Sequence, residues 1–281
     1  MIDKAIYSFW SKPMNDTCVG FNSEKSFIEC ISISVMMSRK HFSKVELVTD
    51  IKGKELLIDK YKLPFTSYST ELEEALVDID QKHWAIGKIY ACKIQKEPFI
   101  HIDNDAIWFK KPPIELLTAD ACFQNGEGDE FAHSYDYLIK HAKDNYIDCP
   151  NYIKWDNMYA YNCGIIGFNR LEHLETWWQA ALEYINYIDS YFKKDSYFKK
   201  EYDTWNQLTS LIFEQFYIFS ICDKFNYDVK LIKKDFVDDS TSKLLGYTHL
   251  LAATKRLKHV EELLSANYEI LFNEELSQIE N

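Results

Sequence analysis

Two carboxylates one residue apart, Asp103 and Asp105, follow the apolar run Phe99-Ile100-His101-Ile102 and precede Ala106-Ile107-Trp108-Phe109. In a strand, residues i and i+2 point to the same side, so both carboxylates would converge on one point. Side by side and unpaired they would repel, and one would have to take up a proton. A divalent cation with oxygen ligands, Mg²⁺ or Mn²⁺, removes the repulsion and can bind a diphosphate at the same time. A lone Asp-x-Asp is common at solvated strand ends. Here the apolar segments on both sides imply burial, where carboxylates without partners are costly. The pair is therefore read as a metal–diphosphate anchor at the carboxyl edge of an α/β sheet, where open sheets bind ligands.

Further polar residues stand in suggestive places along the chain. Lys88 lies in an expected helix before the Asp-x-Asp strand, and Asn162-Cys163-Gly164 follows it. Glu214 and Gln215 interrupt an apolar helical run, where a charge is costly unless paired, so a functional role and a buried partner both remain open. His249 and Lys255 stand six positions apart near the C-terminus. Each has a plainer reading: Lys88 a solvated helix residue, His249 a hydrogen-bonded loop histidine, Asn162 a turn former. His83, His101 and His133 lack the spacing of a metal triad, and no glycine-rich phosphate loop or Ser/Cys–His nucleophile motif is present.

These residues need a scaffold. Strands are expected at Ala5–Trp10, Lys44–Asp50, Pro64–Ser69 and through Phe99–Ile102. Helices are expected at Ser26–Arg39, Gly53–Tyr61 and Trp84–Gln95, the last with Ile86, Ile89, Tyr90 and Ile94 on one face. Alternating strands and helices predict βαβ units and a mainly parallel sheet flanked by helices. Further on, strands are expected at Ala119–Gln124, Tyr161–Asn169 and Val229–Ile232, with a long variable segment from Gly126 to Tyr159. Helices are expected at Leu171–Tyr187, Thr204–Asp223 and Lys258–Leu264, before a polar tail over 265–281 ordered only in part. The run Asp189–Lys194 (DSYFKK) recurs at Asp195–Lys200. Six residues fit no solenoid period; a local tandem expansion or a membrane-touching element are the readings.

A chain of 281 residues can bury a large core, and one α/β domain over 1–281 with a helical C-terminal elaboration is expected. A net charge of −12 without a basic stripe excludes a general nucleic-acid binder. Seven scattered cysteines without CxxC fit a reducing, cytoplasmic setting. No run of 18 apolar residues occurs, so no transmembrane segment is expected, and peripheral attachment at the inner membrane face stays open. The N-terminus lacks the pattern of a signal peptide.

The order Lys88, Asp103-x-Asp105, Asn162-Cys163-Gly164, Glu214-Gln215 and His249-x5-Lys255 resembles the GT-A nucleotide-sugar glycosyltransferases, in particular the glycogenin-like (family 8) and related retaining groups. That resemblance implies a GT-A, Rossmann-like fold and a hexosyltransferase of retaining type. It implies Asp103, Asp105 and His249 as ligands of Mn²⁺ or Mg²⁺, with Lys255 on the donor diphosphate and Lys88 nearby. Asn162 and Gly164 would shape the acceptor and sugar side, and Glu214-Gln215 would stand near the reacting carbon. Residues 5–124 would form the nucleotide-sugar half and 125–258 the acceptor half. The partners implied are a nucleoside-diphosphate sugar, UDP-sugar favoured, and a glycan, lipid-linked or protein acceptor. Ala252-Ala253 and Arg256-Leu257 replace the family's Gly before, and Pro-Trp after, the late lysine. The rival readings are a HAD-type phosphatase, with Asp238-Asp239 as its later acidic pair, and a non-catalytic sugar or nucleotide binder.

Overall fold

The computed structural model describes residues 1–16, 18–128, 139, 144, 149–153, 159–194, 209–235 and 238–279. Most of the expected variable segment, the second copy of DSYFKK and residues 204–208 of an expected helix lie outside these. The strands are β1 (Lys4–Phe9), β2 (Lys44–Thr49), β3 (Ser67–Ser69), β4 (Phe99–Ile102), β5 (Ala106–Trp108) and β6 (Ala121–Phe123), then β7 (Gly126–Glu127), β8 (Ala160–Tyr161), β9 (Ile165–Phe168), β10 (Val229–Leu231) and β11 (Tyr247–His249). The helices are α1 (Glu24–His41), α2 (Ile51–Lys54), α3 (Leu72–Ala75), α4 (Ile86–Lys93) and α5 (Ile114–Thr118), then α6 (Leu174–Lys194), α7 (Tyr217–Lys224), α8 (Asp239–Leu245) and α9 (Lys258–Ile279).

Seven strands form one sheet in the order β10-β6-β9-β4-β1-β2-β3. It is mainly parallel: β1 pairs in parallel with β2 and β4, β2 with β3, and β6 with β10. Only β9 runs antiparallel to its neighbours β4 and β6 among these pairings. Alternation along β1 sends Ile6 to one apolar cluster and Ala5, Tyr7 and Phe9 to the other, so the sheet is buried on both faces. Helices α4, α6 and α7 cover the first face, with Trp177 and Tyr217 fully buried; α1 covers the second.

Helix α1 shows how local chemistry sets an element. Ser23 caps its start, accepting from the Ser26 N–H at 3.1 Å, and Arg39 and Lys40 stand in the last turn, where the helix dipole favours cations. Two of its buried serines share one partner: the Tyr7 hydroxyl lies 2.7 Å from Ser34 Oγ and 2.8 Å from Ser38 Oγ.

Several elements differ from expectation. The strand expected over Tyr161–Asn169 is two strands, β8 and β9, broken at Asn162–Gly164. The helix expected at Gly53–Tyr61 is α2 followed by a π-helical stretch, Glu55–Lys60. The last helix continues far beyond Leu264, to Ile279. Its Val260, Leu264, Tyr268 and Leu271 pack into the second cluster, and Ser265 Oγ donates to Glu29 of α1 at 2.8 Å.

Candidate functional site

The site lies where β4 gives out. The strand ends at Ile102, and Asp103 to Asp105 form a turn closed by the Ala106 N–H on the Asp103 carbonyl at 3.0 Å. Strand alternation therefore does not bring the two carboxylates together; the turn and its stitching do. On one side the Asp103 N–H donates to the Gly164 carbonyl at 3.0 Å. On the other, β5 pairs antiparallel with β11, His249 sits opposite Ala106, and the Leu250 N–H donates to the Asp105 carbonyl at 2.9 Å. Gly164 and Leu250, 61 and 145 positions from the aspartates they bond, are thus fastened to either side of one turn. The ligand atoms of Asp103, Asp105 and His249 all lie within 4.8 Å of one another.

Asp105 is 8% exposed and paired twice: Oδ1 lies 3.1 Å from His249 Nε2, and Oδ2 contacts Lys255 Nζ. Burial pushes its carboxyl upward, but His249 and Lys255 outweigh that and hold it well below the usual range. Asp103 goes the other way. Burial raises it and the Asp105 charge adds to this, with Lys88 opposing. Lys88 Nζ stands 2.7 Å from Asp103 Oδ1, 2.5 Å from Glu214 Oε1 and 3.0 Å from the Cys163 carbonyl. Burial works to neutralise that ammonium, yet its two carboxylates win and raise its pKa. Glu214, 1% exposed, is pushed up to about 7 by burial, against the pull of Lys88. Three carboxyl groups, Asp103, Asp105 and Glu214, thus share two ammonium groups, Lys88 and Lys255.

Two carboxylates and an imidazole nitrogen form a donor set that suits Mn²⁺ or Mg²⁺. The approach of His249 Nε2 to Asp105 Oδ1 also fits a cation. An unprotonated nitrogen and a carboxylate oxygen at 3.1 Å repel unless positive charge, a proton or a metal, stands on or between them. The residues present fit the ion.

Most of the expected residues converge here. Lys88 is 7% exposed rather than solvated, and it bridges carboxylates instead of standing open toward a phosphate. Glu214 has the buried partner that its helix required. Asn162 spans the break between β8 and β9: its Nδ2 donates to Glu127 at 2.7 Å, and its Oδ1 accepts from the Gly164 N–H at 3.0 Å. Gly164 is needed for space, because a Cβ there would sit 2.4 Å from Gln124 Oε1 and from the His249 ring. Gln215 is 8% exposed on the π-helical stretch Ile212–Phe216. Lys255 also reaches the Val19 carbonyl at 3.3 Å and lies over the Phe21 ring. Asp238 is not part of the cluster; it caps α8, accepting from the Thr241 N–H at 3.1 Å.

Sequence reasoning missed Gln124, Tyr247 and Glu127. The signal for Gln124 was an amide pair, Gln124-Asn125, closing the apolar strand β6, a pattern that also reads as an ordinary turn. His101, set aside at the sequence level, is 1% exposed, with Nε2 2.9 Å from Ser8 Oγ. Burial beside Lys88 drives its pKa well below the usual imidazole value, so the ring is neutral.

Fold and cluster together define an α/β protein with a candidate divalent-cation site at the carboxyl end of a central strand. The chain belongs to a family of unknown function, DUF6734, whose model matches residues 3–281. No curated protein matches it. Among solved structures it is similar to mouse xyloside xylosyltransferase 1, at 11% identity and a TM-score of 0.41 over 83% of this chain and 85% of that one. It is also similar to the glycosyltransferase GlyE of Streptococcus pneumoniae, at 9% identity and 0.47, covering 98% of this chain and 64% of the other. The inositol-1-phosphate CTP transferase from T. maritima aligns at 12% and 0.40, over 95% and 97%. No helix among the described residues is long and apolar enough to cross a membrane.

Proposed function

We propose that this chain is a metal-dependent glycosyltransferase of GT-A type, moving a hexose from a nucleoside-diphosphate sugar to a glycan, lipid-linked or protein acceptor. One observation carries the reading: Asp103, Asp105 and His249 bring three ligand atoms within 4.8 Å of one another at the carboxyl end of β4, with Lys255 on the same aspartate. Single antiparallel β9 inside an otherwise parallel sheet and the break at Asn162–Gly164 support it, because together they bring the sugar-side loop to that strand end.

Asp103, Asp105 and His249 would hold Mn²⁺ or Mg²⁺. The bound ion would supply Lewis-acid neutralisation of the departing diphosphate. Lys255 would bring a point charge to the same diphosphate, exchanging its contact with Asp105 for phosphate oxygen. Lys88, held by Glu214 and the Cys163 carbonyl, fixes the Asp103 carboxylate rather than meeting the donor. Asn162, Gly164 and Gln215 would shape the sugar and acceptor side, with residues 5–124 as the nucleotide half and 125–258 as the acceptor half. UDP is the favoured base, and retention at the anomeric carbon is the proposed stereochemistry.

The test is hydrolysis and transfer with UDP- and GDP-sugars, with Mn²⁺ or with chelator. Turnover of a nucleotide sugar that disappears with chelator supports the reading. Hydrolysis of simple phosphomonoesters in its place would overturn it in favour of a phosphatase.

A further inference from the structure

The His249 ring meets Gln124 Oε1 through Nδ1, at 2.6 Å, and the Tyr247 hydroxyl reaches the same oxygen at 2.6 Å. Both ends of the Gln124 side chain are occupied, since its Nε2 lies 3.1 Å from Asn125 Oδ1. Asn125 is pinned in turn, with Nδ2 donating to the Gly126 carbonyl at 2.9 Å. Gln124 and Asn125 are both 0% exposed, so water cannot substitute for any of these partners.

This chain of bonds can be read in only one direction. A backbone carbonyl can only accept, so the Asn125 amide nitrogen must face Gly126 and its oxygen must face Gln124. That oxygen also only accepts, so the Gln124 amide nitrogen must face it. Gln124 Oε1 is therefore turned toward Tyr247 and His249, and both must donate to it. The proton of a neutral His249 ring then belongs on Nδ1, and the Nε2 lone pair is directed at Asp105 and the mouth of the cluster.

We infer that Gln124 is a positioning residue that fixes the His249 tautomer for metal ligation, through an amide relay anchored on the Gly126 carbonyl. An imidazole free in water can place its proton on either nitrogen; this relay removes the choice and aims the ring. Partners of this kind typically govern metal affinity by about 10- to 100-fold when lost. Gly164 belongs to the same device, because only the absence of a Cβ lets the amide and the ring approach each other there. The inference rests on the metal reading proposed above.

The experiment measures Mn²⁺ affinity by continuous-wave electron paramagnetic resonance, and nitrogen coupling to bound Mn²⁺ by pulsed methods, in the full chain. Three proteins are compared: wild type, Gln124→Met and Gln124→Glu. Methionine keeps the length and removes the acceptor, so affinity should fall about 10- to 100-fold. Glutamate keeps an acceptor for Nδ1–H but loses the amide donor to Asn125. Affinity in that variant should be held or raised even if the protein is less heat-stable. A merely structural glutamine would lower thermal stability in both variants and leave Mn²⁺ affinity unchanged, which would overturn the inference. If the methionine variant does not fold, Gln124→Ala takes its place: a loss of about 10-fold or more in Mn²⁺ affinity supports the relay, and unchanged affinity overturns it. Absence of Mn²⁺ binding or of nitrogen coupling in wild type would instead sink the metal reading. Binding and coupling in wild type with unchanged affinity in the methionine variant would sink only the role of Gln124.

Discussion

At Lys88 one ammonium compensates two carboxylates, the buried Glu214 and the half-buried Asp103, so its removal is worse than an ordinary lost ion pair. Lys88→Met should destabilise the fold by about 3–5 kcal/mol, the usual result of stranding buried charge. The double variant Lys88→Met/Glu214→Gln should recover part of that. Urea unfolding checks both, and a loss below about 1 kcal/mol for the single variant would contradict the buried triad. Gly164→Ala forces a Cβ into the contact between Gln124 and His249. It should cost about 1–3 kcal/mol as overpacking, measured in the same way, and should weaken Mn²⁺ binding as well. Much of this scale was legible beforehand. Asp103, Asp105, His249 and Lys255 announce themselves by residue type and spacing, and Glu214 by its apolar surroundings. What spacing could not reveal was pairing. Nothing in the sequence says that Lys88 serves Glu214, or that an amide at the end of β6 sets the ring of a histidine 125 positions away.

Helix α6 begins beside β9 and carries Asp189, which meets Lys82 at 2.7 Å and His83 Nε2 at 3.0 Å, tying the helix to the loop before α4. Burial would raise that carboxyl, but His83 and Lys82 hold it below its ordinary value. A carboxylate whose folded-state pKa lies below its unfolded value of about 3.9 stabilises the fold at neutral pH and loses that contribution as pH falls. Asp189→Asn should therefore lower the melting temperature by about 2 °C at pH 7, for a partly exposed contact worth under about 1 kcal/mol. The gap from wild type should hold down to about pH 4 and narrow progressively as pH falls further, and a gap that widens on acidification would contradict the pairing. Sequence patterns located most elements because β1, β2, α1 and α4 are apolar stretches of strand or helix length, although burial along them is nearly continuous. They failed where tertiary demands broke the pattern. The strand over Tyr161–Asn169 is interrupted because Asn162–Gly164 must face the cluster. The same-side argument for Asp-x-Asp failed because β4 ends at Ile102, before either aspartate. The C-terminal helix was cut short although Leu264, Tyr268 and Leu271 repeat at i, i+4 and i+7, a face that charged neighbours concealed.

At the scale of the whole molecule, a chain of net charge −12 gathers an acidic cluster at the carboxyl end of a mainly parallel sheet, where an added cation gains most. The α/β class and the place of the cluster could be read from alternation and from one Asp-x-Asp. The sheet order could not, because β9 enters antiparallel between β4 and β6 from a segment far along the chain. On the proposed reading the layout would couple nucleotide binding to the ion: Asp103 and Asp105 would repel a diphosphate until positive charge intervenes, and Lys255 is already committed to Asp105. The most direct measurement is calorimetric titration of UDP into the protein with Mn²⁺ and with chelator, repeated for Asp103→Asn and Asp105→Asn. Binding should require Mn²⁺ and should weaken at least about 10-fold in each variant, roughly 1.4 kcal/mol, while both remain folded. UDP binding that is equally strong with chelator, or unchanged in both variants, would contradict the account.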